Sequence, residues 1–398
     1  MDLLLTSVIA LVALALLFDF TNGFHDAANS VGTVVATRVM SVRQAVVFSA
    51  ACNFAAFLVV GTAVANTVAK VVKPGEDSIA VVFAALVAAV GWNYLTWWVG
   101  LPSSSSHAII GGLVGAGLAA GGVAAISWDA VEKAVIAIFL SPAVAFGVAV
   151  LATGLVVVIQ KIAHWSDDAG GFKGLQVVSA AAVSFGHGAN DAQKTMGVIA
   201  ALLAGAGYLE VKADGSLPVP TWVALCAYTA IALGTAWGGW RIIETMGLRL
   251  TSLNARTGAA ANIGATTAIF GATALGVPIS TTHAAASSVL GAGTAARRGA
   301  NWGIVGQMSL AWVVTIPATA AVGYALYEAT RLPPAAAWAV LVPVLLAAVV
   351  AIVLAMRNSL GAHELAEKVA QGPATPVSAQ AAPNRAPLAA TTPGAGQV

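Results

Sequence analysis

From Ser78 to Trp128 the chain contains no Asp, Glu, Lys or Arg. No water-soluble domain can be surfaced with so long an uncharged stretch, and it is long enough to cross a bilayer twice, since one helical crossing takes about 20 apolar residues. The rest of the chain is built alike. Charged residues make up 9% of its 398 residues, against about 25% in a soluble domain. Apolar runs fall at 3–18, 44–69, 79–98, 131–161, 175–185, 221–245, 257–276, 302–328 and 335–356. Lipid satisfies no backbone N–H or C=O, so runs of this length are expected to be helices. The expected fold is an all-α polytopic membrane protein. The opening MDLLLTSVIALVALALLF lacks a basic flank and more membrane sequence follows it, so it reads as the first helix and not as a cleaved leader. A net charge of +2 gives no footprint for a nucleic acid. Cys52 and Cys226 lie in apolar runs and read as packing residues.

Shorter Gly- and Ala-rich pieces follow polar breaks at 27–38, 103–121, 192–205 and 280–296. They are expected to be half-helices or re-entrant hairpins, because irregular backbone at membrane depth survives only inside protein or beside water. The polar segment HWSDDAGGFKG, 164–174, reads as a linker between a first membrane repeat, 1–163, and a second, 175–357. Residues 358–398 turn to Ala, Pro, Gln and Thr, a composition that cannot bury a core, and are expected to be disordered.

The two halves resemble each other. HDAANSVGTVVA (25–36) aligns with NDAQKTMGVIA (190–200), pairing Asp26 with Asp191 at 191 − 26 = 165. LPSSSSHAIIGGLVGAG (101–117) aligns with VPISTTHAAASSVLGAG (277–293), pairing His107 with His283 at 283 − 107 = 176. Ser141-Pro142 has its counterpart in Ile316-Pro317. An internal repeat with interrupted membrane helices is the signature of a secondary transporter, with its site near the midplane between the halves. Inverted repeats are expected. The basic residues Arg38/Arg43, Lys161/Lys173, Arg241/Arg249 and Arg297/Arg298 show no clean alternation that would set the orientation.

Ionisable groups inside a membrane segment are functional candidates because holding them there costs several kcal/mol. Asp26 and Asp191 are the strongest two. Asp26 shares a helical face with Asn29, Ser30 and Thr33; Asp191 shares one with Lys194 and Thr195. Such oxygen sets suit Na⁺, and a carboxylate alone suits a proton. The bland alternative is that each Asp caps a half-helix. Ser104, Ser105 and Ser106, like Ser280, Thr281 and Thr282, precede apolar runs and fall at expected helix starts, where free N–H groups and a partial positive charge favour an anion. Interhelical glue would explain single hydroxyls. It explains less well a Pro-(polar)-(Ser/Thr)-(Ser/Thr)-(Ser/Thr)-His pattern that occurs twice. A bound anion would repel the nearby carboxylates, and a co-bound cation would relieve that repulsion, so symport is expected. His25 and His187 flank the Asp breaks and could tune proton coupling; His107 and His283 could serve hairpin carbonyls. Lys194 could pair with Asp191 or contact the anion.

GANDAQKT (188–195) differs from a phosphate-loop motif at Gln193, where the second glycine belongs, and membrane sequence surrounds it. ATP binding is rejected on both counts. No cofactor is expected, and the driving force should be an ion gradient.

GFHDAANSVGTVVATRVMS, FGHGANDAQKTMG, GLPSSSSH and GVPISTTH resemble, in order, the paired signatures of the inorganic phosphate transporter (Pit) family. The resemblance covers residues 1–357. It implies inverted repeats, each with a broken first helix and a re-entrant hairpin, a homodimer, and a place in the cell's inner (plasma) membrane. It also implies phosphate between the hairpin tips and the broken helices, with H⁺ or Na⁺ as coupling ion. By position it assigns cation-linked roles to Asp26, Asn29, Asn190 and Asp191, and phosphate contacts to Ser105, Ser106, Thr281 and Thr282. His25 and Lys194 depart from the family core. The chain resembles bacterial low-affinity permeases, many of them proton-coupled. Free phosphate and a metal–phosphate complex both stay open as cargo. A sulfate permease of the same fold is the alternative, since similar donors could hold that tetrahedral anion. A membrane serine hydrolase would need one activated nucleophile, which a duplicated hydroxyl cluster does not provide.

Overall fold

The computed structural model describes residues 3–73, 77–166, 169–357 and 361–371. In chain order the helices are α1 (Leu3–Ala36), α2 (Val42–Ala55), α3 (Ala63–Ala69), α4 (Ser78–Val99), α5 (Ser105–Gly121) and α6 (Trp128–Ala163). There follow α7 (Gly170–Gly205), α8 (Thr221–Trp237), α9 (Trp240–Glu244), α10 (Ala255–Ala274), α11 (Thr281–Ala295), α12 (Trp302–Thr330), α13 (Pro334–Arg357) and α14 (Ala362–Gln371). Among the described residues the extended structure is one isolated bridge, Val72 to Ile126. Five helices are long and apolar enough to cross a membrane, or seven if each bent pair is one span: α2 with α3, bent by 88°, and α8 with α9 and its π-helical extension to Arg249, bent by 66°. The protein is a multi-pass membrane protein.

The element order repeats. A long helix (α1, α7) is followed by a bent pair, a helical hairpin (α4–α5, α10–α11) and a long helix with an internal proline, Pro142 in α6 and Pro317 in α12. The hairpin turns share their chemistry. Gly100 and Gly276 take left-handed backbone, φ +72° and +67°, which Gly adopts at no steric cost. A proline stands two residues on, at 102 and 278, and Ser104 or Ser280 then caps the next helix, its Oγ accepting from the N–H of His107 or His283 at 3.2 Å in both.

The halves interlock. The hairpin helix α5 packs on α12 of the other half, and α11 packs on α6. In the same way α1 packs on α8, and α7 on α2. Glycines permit the closest approaches: a Cβ at Gly23 would stand 2.2 Å from Ile231 O, and one at Gly188 would stand 2.4 Å from Asn53 O.

Three expectations are corrected. The helices α1 and α7 run unbroken through Asp26 and Asp191, so neither Asp opens a half-helix or caps one. The polar side chains there are bonded sideways to neighbouring elements, so the backbone need not open, and a glycine inside a helix costs only about 1 kcal/mol. Secondly, the linker is shorter than 164–174, because α7 begins at Gly170. Thirdly, the segment after residue 360 is not wholly disordered. In α14, Leu365 and Val369, four apart, are buried, and Lys368 Nζ lies 3.1 Å from Glu244 Oε2. Arg38 donates from Nε to Val369 O and from Nη2 to Ala370 O, both at 3.0 Å, closing the C-terminal end of that helix. Composition hid this short amphipathic segment. Residues 358–360 and 372–398 of the expected tail lie outside the described residues.

Candidate functional site

Both hairpin tips end against the middle of α1 and α7, and Asp26, Asn29, Asp191, Lys194, Ser106, Thr281 and Thr282 are each at most 3% exposed. At the second tip Thr282 Oγ1 donates to Asp26 Oδ1 at 2.9 Å. Thr281 Oγ1 lies 3.1 Å from Asp191 Oδ2 and 3.3 Å from Asp26 Oδ2, so its single proton is offered to two carboxylates. Asn29 Nδ2 donates to Thr282 Oγ1 at 3.1 Å and to Thr281 Oγ1 at 3.4 Å. Asp26, Asp191 and His187 bring three potential ligand atoms within 4.8 Å of one another.

Lys194 joins the two tips. Its ammonium donates to Asp191 Oδ1 at 2.6 Å, to Ile279 O at 2.8 Å, and to Ser106 Oγ. Ser106 in turn donates to Ile279 O at 2.7 Å, so the first tip is bonded directly to the second. All three ammonium protons are used. Of the two readings of Lys194, the ion pair with Asp191 is the one formed, and Ser106 keeps the amine beside an anion-competent helix start.

The other candidates separate into groups. His25 Nδ1 lies 2.9 Å from Asp26 Oδ1, and its Nε2 lies 3.1 Å from Thr96 Oγ1 and 3.4 Å from Ser103 Oγ. His25 thereby connects the first carboxylate to the first hairpin. His187 Nδ1 lies 3.2 Å from Asn53 Oδ1; Nε2 is 3.4 Å from Asp191 Oδ2 but not aligned for a hydrogen bond. Asn190 is turned away from the carboxylates. It donates to Thr273 Oγ1 and Val277 O and accepts from Ile279 N, which fastens the second hairpin turn. Ser104 and Ser280 cap their helices, each hydroxyl oxygen accepting an N–H while its own proton stays available as a donor. Ser105 Oγ is buried with no hydrogen-bond partner among the described residues.

His107 and His283 do not serve hairpin carbonyls. No ring nitrogen of either has a hydrogen-bond partner among the described residues. The rings meet edge to face at 4.4 Å, and His283 stacks on Trp312 at 3.9 Å. Trp312, which no motif flagged, also donates to Pro102 O at 3.1 Å, so one side chain of α12 touches both tips. Thr96, Ser103 and Asn22, whose Nδ2 lies 3.4 Å from Asp191 Oδ2, were likewise missed. Asn22 could have been found: it precedes Asp26 by four residues, one helical turn on the same face.

Two helical hairpins whose tips meet over buried carboxylates, between halves of repeated element order, are the arrangement of a membrane transporter. Comparison with known proteins narrows the class. The profile of the phosphate transporter family (PHO4) matches residues 22–169 and 159–323, and the chain belongs to that family. A protein of Rhizobium meliloti (strain 1021) named "Probable low-affinity inorganic phosphate transporter" is 46% identical over 329 residues, 82% of this chain and 97% of that one. A protein of the same name from Bacillus subtilis (strain 168) is 42% identical over 331 residues, 82% and 98% of the two chains. The solved structure titled "The sodium-dependent phosphate transporter" shares the fold, with a TM-score of 0.72, 24% identity, and coverage of 82% of this chain and 99% of that one. The protein is thus a transporter of inorganic phosphate and not an enzyme.

Proposed function

We propose that the protein imports phosphate by symport with H⁺ or Na⁺ across the inner membrane. The two tips bind the anion and the carboxylates bind the cation. The observation that carries this reading is the double use of Thr281, which heads a helix while its hydroxyl reaches Asp26 and Asp191. The first N–H groups of α5 and α11 have no intrahelical acceptor and point out of the helix start, where they favour an anion. Ser105, Ser106, Thr281 and Thr282 supply hydroxyls beside them. When those threonines turn to phosphate, Asp26 loses both its threonine donors and Asp191 loses one, while Lys194 stays on Asp191. A buried carboxylate stripped of its partners costs several kcal/mol, so phosphate binding requires a cation to take their place. That exchange is the coupling.

The halves contribute unequally. Lys194 stands 165 residues after Asn29, in the same relation to Asp191 as Asn29 to Asp26. The second carboxylate therefore has a tethered cation, and the exchangeable one belongs chiefly to Asp26. The halves are read as inverted repeats with re-entrant hairpins, in two membrane units of 1–163 and 175–357, and the protein as a homodimer. The name of the structural relative supports Na⁺ as one candidate ion; the pair of Asp26 with His25 supports H⁺ equally.

Uptake of labelled phosphate into proteoliposomes, under Na⁺ and H⁺ gradients imposed separately, tests the reading. One gradient should drive accumulation above equilibrium, and Asp26→Asn should abolish it. Uptake that ignores both gradients would sink symport.

A further inference from the structure

Asp19 plays no part in the site described above, yet it is a carboxylate in the interior of a membrane bundle. It lies on α1 seven residues before Asp26, two helical turns along the same face. It is 0% exposed, and neither of its oxygens has a hydrogen-bond partner among the described residues. Thr195 of α7 and Asn22 of α1 lie against it, and the facing charged groups are Asp191 and Lys194 of α7. Tyr228 of α8 is close enough to feel its charge. Thr195 Oγ1, Asn22 Oδ1 and Tyr228 Oη are buried and unpartnered as well.

These atoms are all oxygens, and together they bring a single formal negative charge. An ionised carboxylate with only the neutral side chains of Thr195 and Asn22 against it costs several kcal/mol there. The nearest ammonium, that of Lys194, is already paired with Asp191 at 2.6 Å, so the two together bring no net charge to Asp19. Neutralisation has to come from outside the chain. A proton on Asp19 would make a donor for Asn22 Oδ1 or Thr195 Oγ1, and a small metal cation would find the same oxygens as ligands.

We propose that Asp19, with Asn22 and Thr195, is a second cation-binding site, which takes one monovalent cation for each phosphate carried. Asn22 links it to the first site through its contact with Asp191. A charge gained at Asp19 is therefore felt where the anion binds. The inference rests on the symport reading.

The test is the coupling stoichiometry, read from the membrane potential that just balances an imposed phosphate gradient in proteoliposomes. Wild type gives the reference count. Asp19→Asn should carry one positive charge fewer per phosphate, and Asp19→Glu should restore it. If wild-type uptake itself ignores cation gradients, symport fails. If wild type is coupled and Asp19→Asn keeps the full count, the second site is overturned while symport stands. Where Asp19→Asn does not fold, carbodiimide modification of wild type, mapped by peptide mass spectrometry, decides instead. Modification at Asp19 suppressed by raising the pH assigns a proton, and suppression by Na⁺ at fixed pH assigns Na⁺. Modification indifferent to both, or absent from Asp19 in every condition, overturns the proposal.

Discussion

At the scale of single residues, Lys194 shows most clearly how a duplicated motif diverges. Asn29 in the first half offers two amide protons to threonines, whereas Lys194 in the second brings a full charge to 2.6 Å from Asp191. Removing that charge leaves a buried carboxylate uncompensated. Lys194→Met should destabilise the protein by about 3–5 kcal/mol, and adding Asp191→Asn should recover most of the loss; melting in detergent measures both. Lys194→Asn copies the first half into the second, so its melting temperature should rise with added Na⁺ by more than that of wild type. A response equal to wild type would show that the ammonium does not replace a bound cation.

At the scale of elements, the turn chemistry of both hairpins was legible because it is local. Pro102 and Pro278, the hydroxyl runs and the histidines mark each turn in the chain itself, and the structure places each helix start where they stand. The helices α1 and α7 were misread for a related reason. Glycine and polar residues signal a break locally, but here Thr281, Thr282 and Thr96 arrive from elements far along the chain and satisfy those side chains. The same logic applies to Ser104 and Ser280: a repeated hydroxyl pattern marks a tip without telling which of its oxygens cap the helix. Asp19 was lost at the edge of an apolar run, although its seven-residue spacing to Asp26 was present to be read. Packing of the hairpins is testable here. A Cβ at Gly115 of α5 would lie 1.9 Å from Ala320 O of α12, while one at Gly91 of α4 would meet nothing within 4 Å. Gly115→Ala should therefore cost about 1–3 kcal/mol by overpacking. Gly91→Ala should instead gain up to about 1 kcal/mol from helix propensity. Detergent melting curves of the two variants should move in opposite directions.

At the scale of the whole molecule, each half completes the other. The reciprocal contacts of α5 with α12 and of α11 with α6 leave neither half with a finished interior of its own. The connection between them, from Ala163 to Gly170, is short and contributes none of the site residues. Residues 1–166 and 167–398 produced as separate chains should assemble into a transporter when made together, and each alone should be degraded; membrane abundance of each fragment checks this. In that sense the molecule is arranged like two subunits that have exchanged arms and were afterwards tied together. A consequence follows for how damage spreads. A substitution on a proline helix disturbs the anion tip belonging to the opposite half, so its effect on transport will be read at residues more than a hundred positions away in the chain.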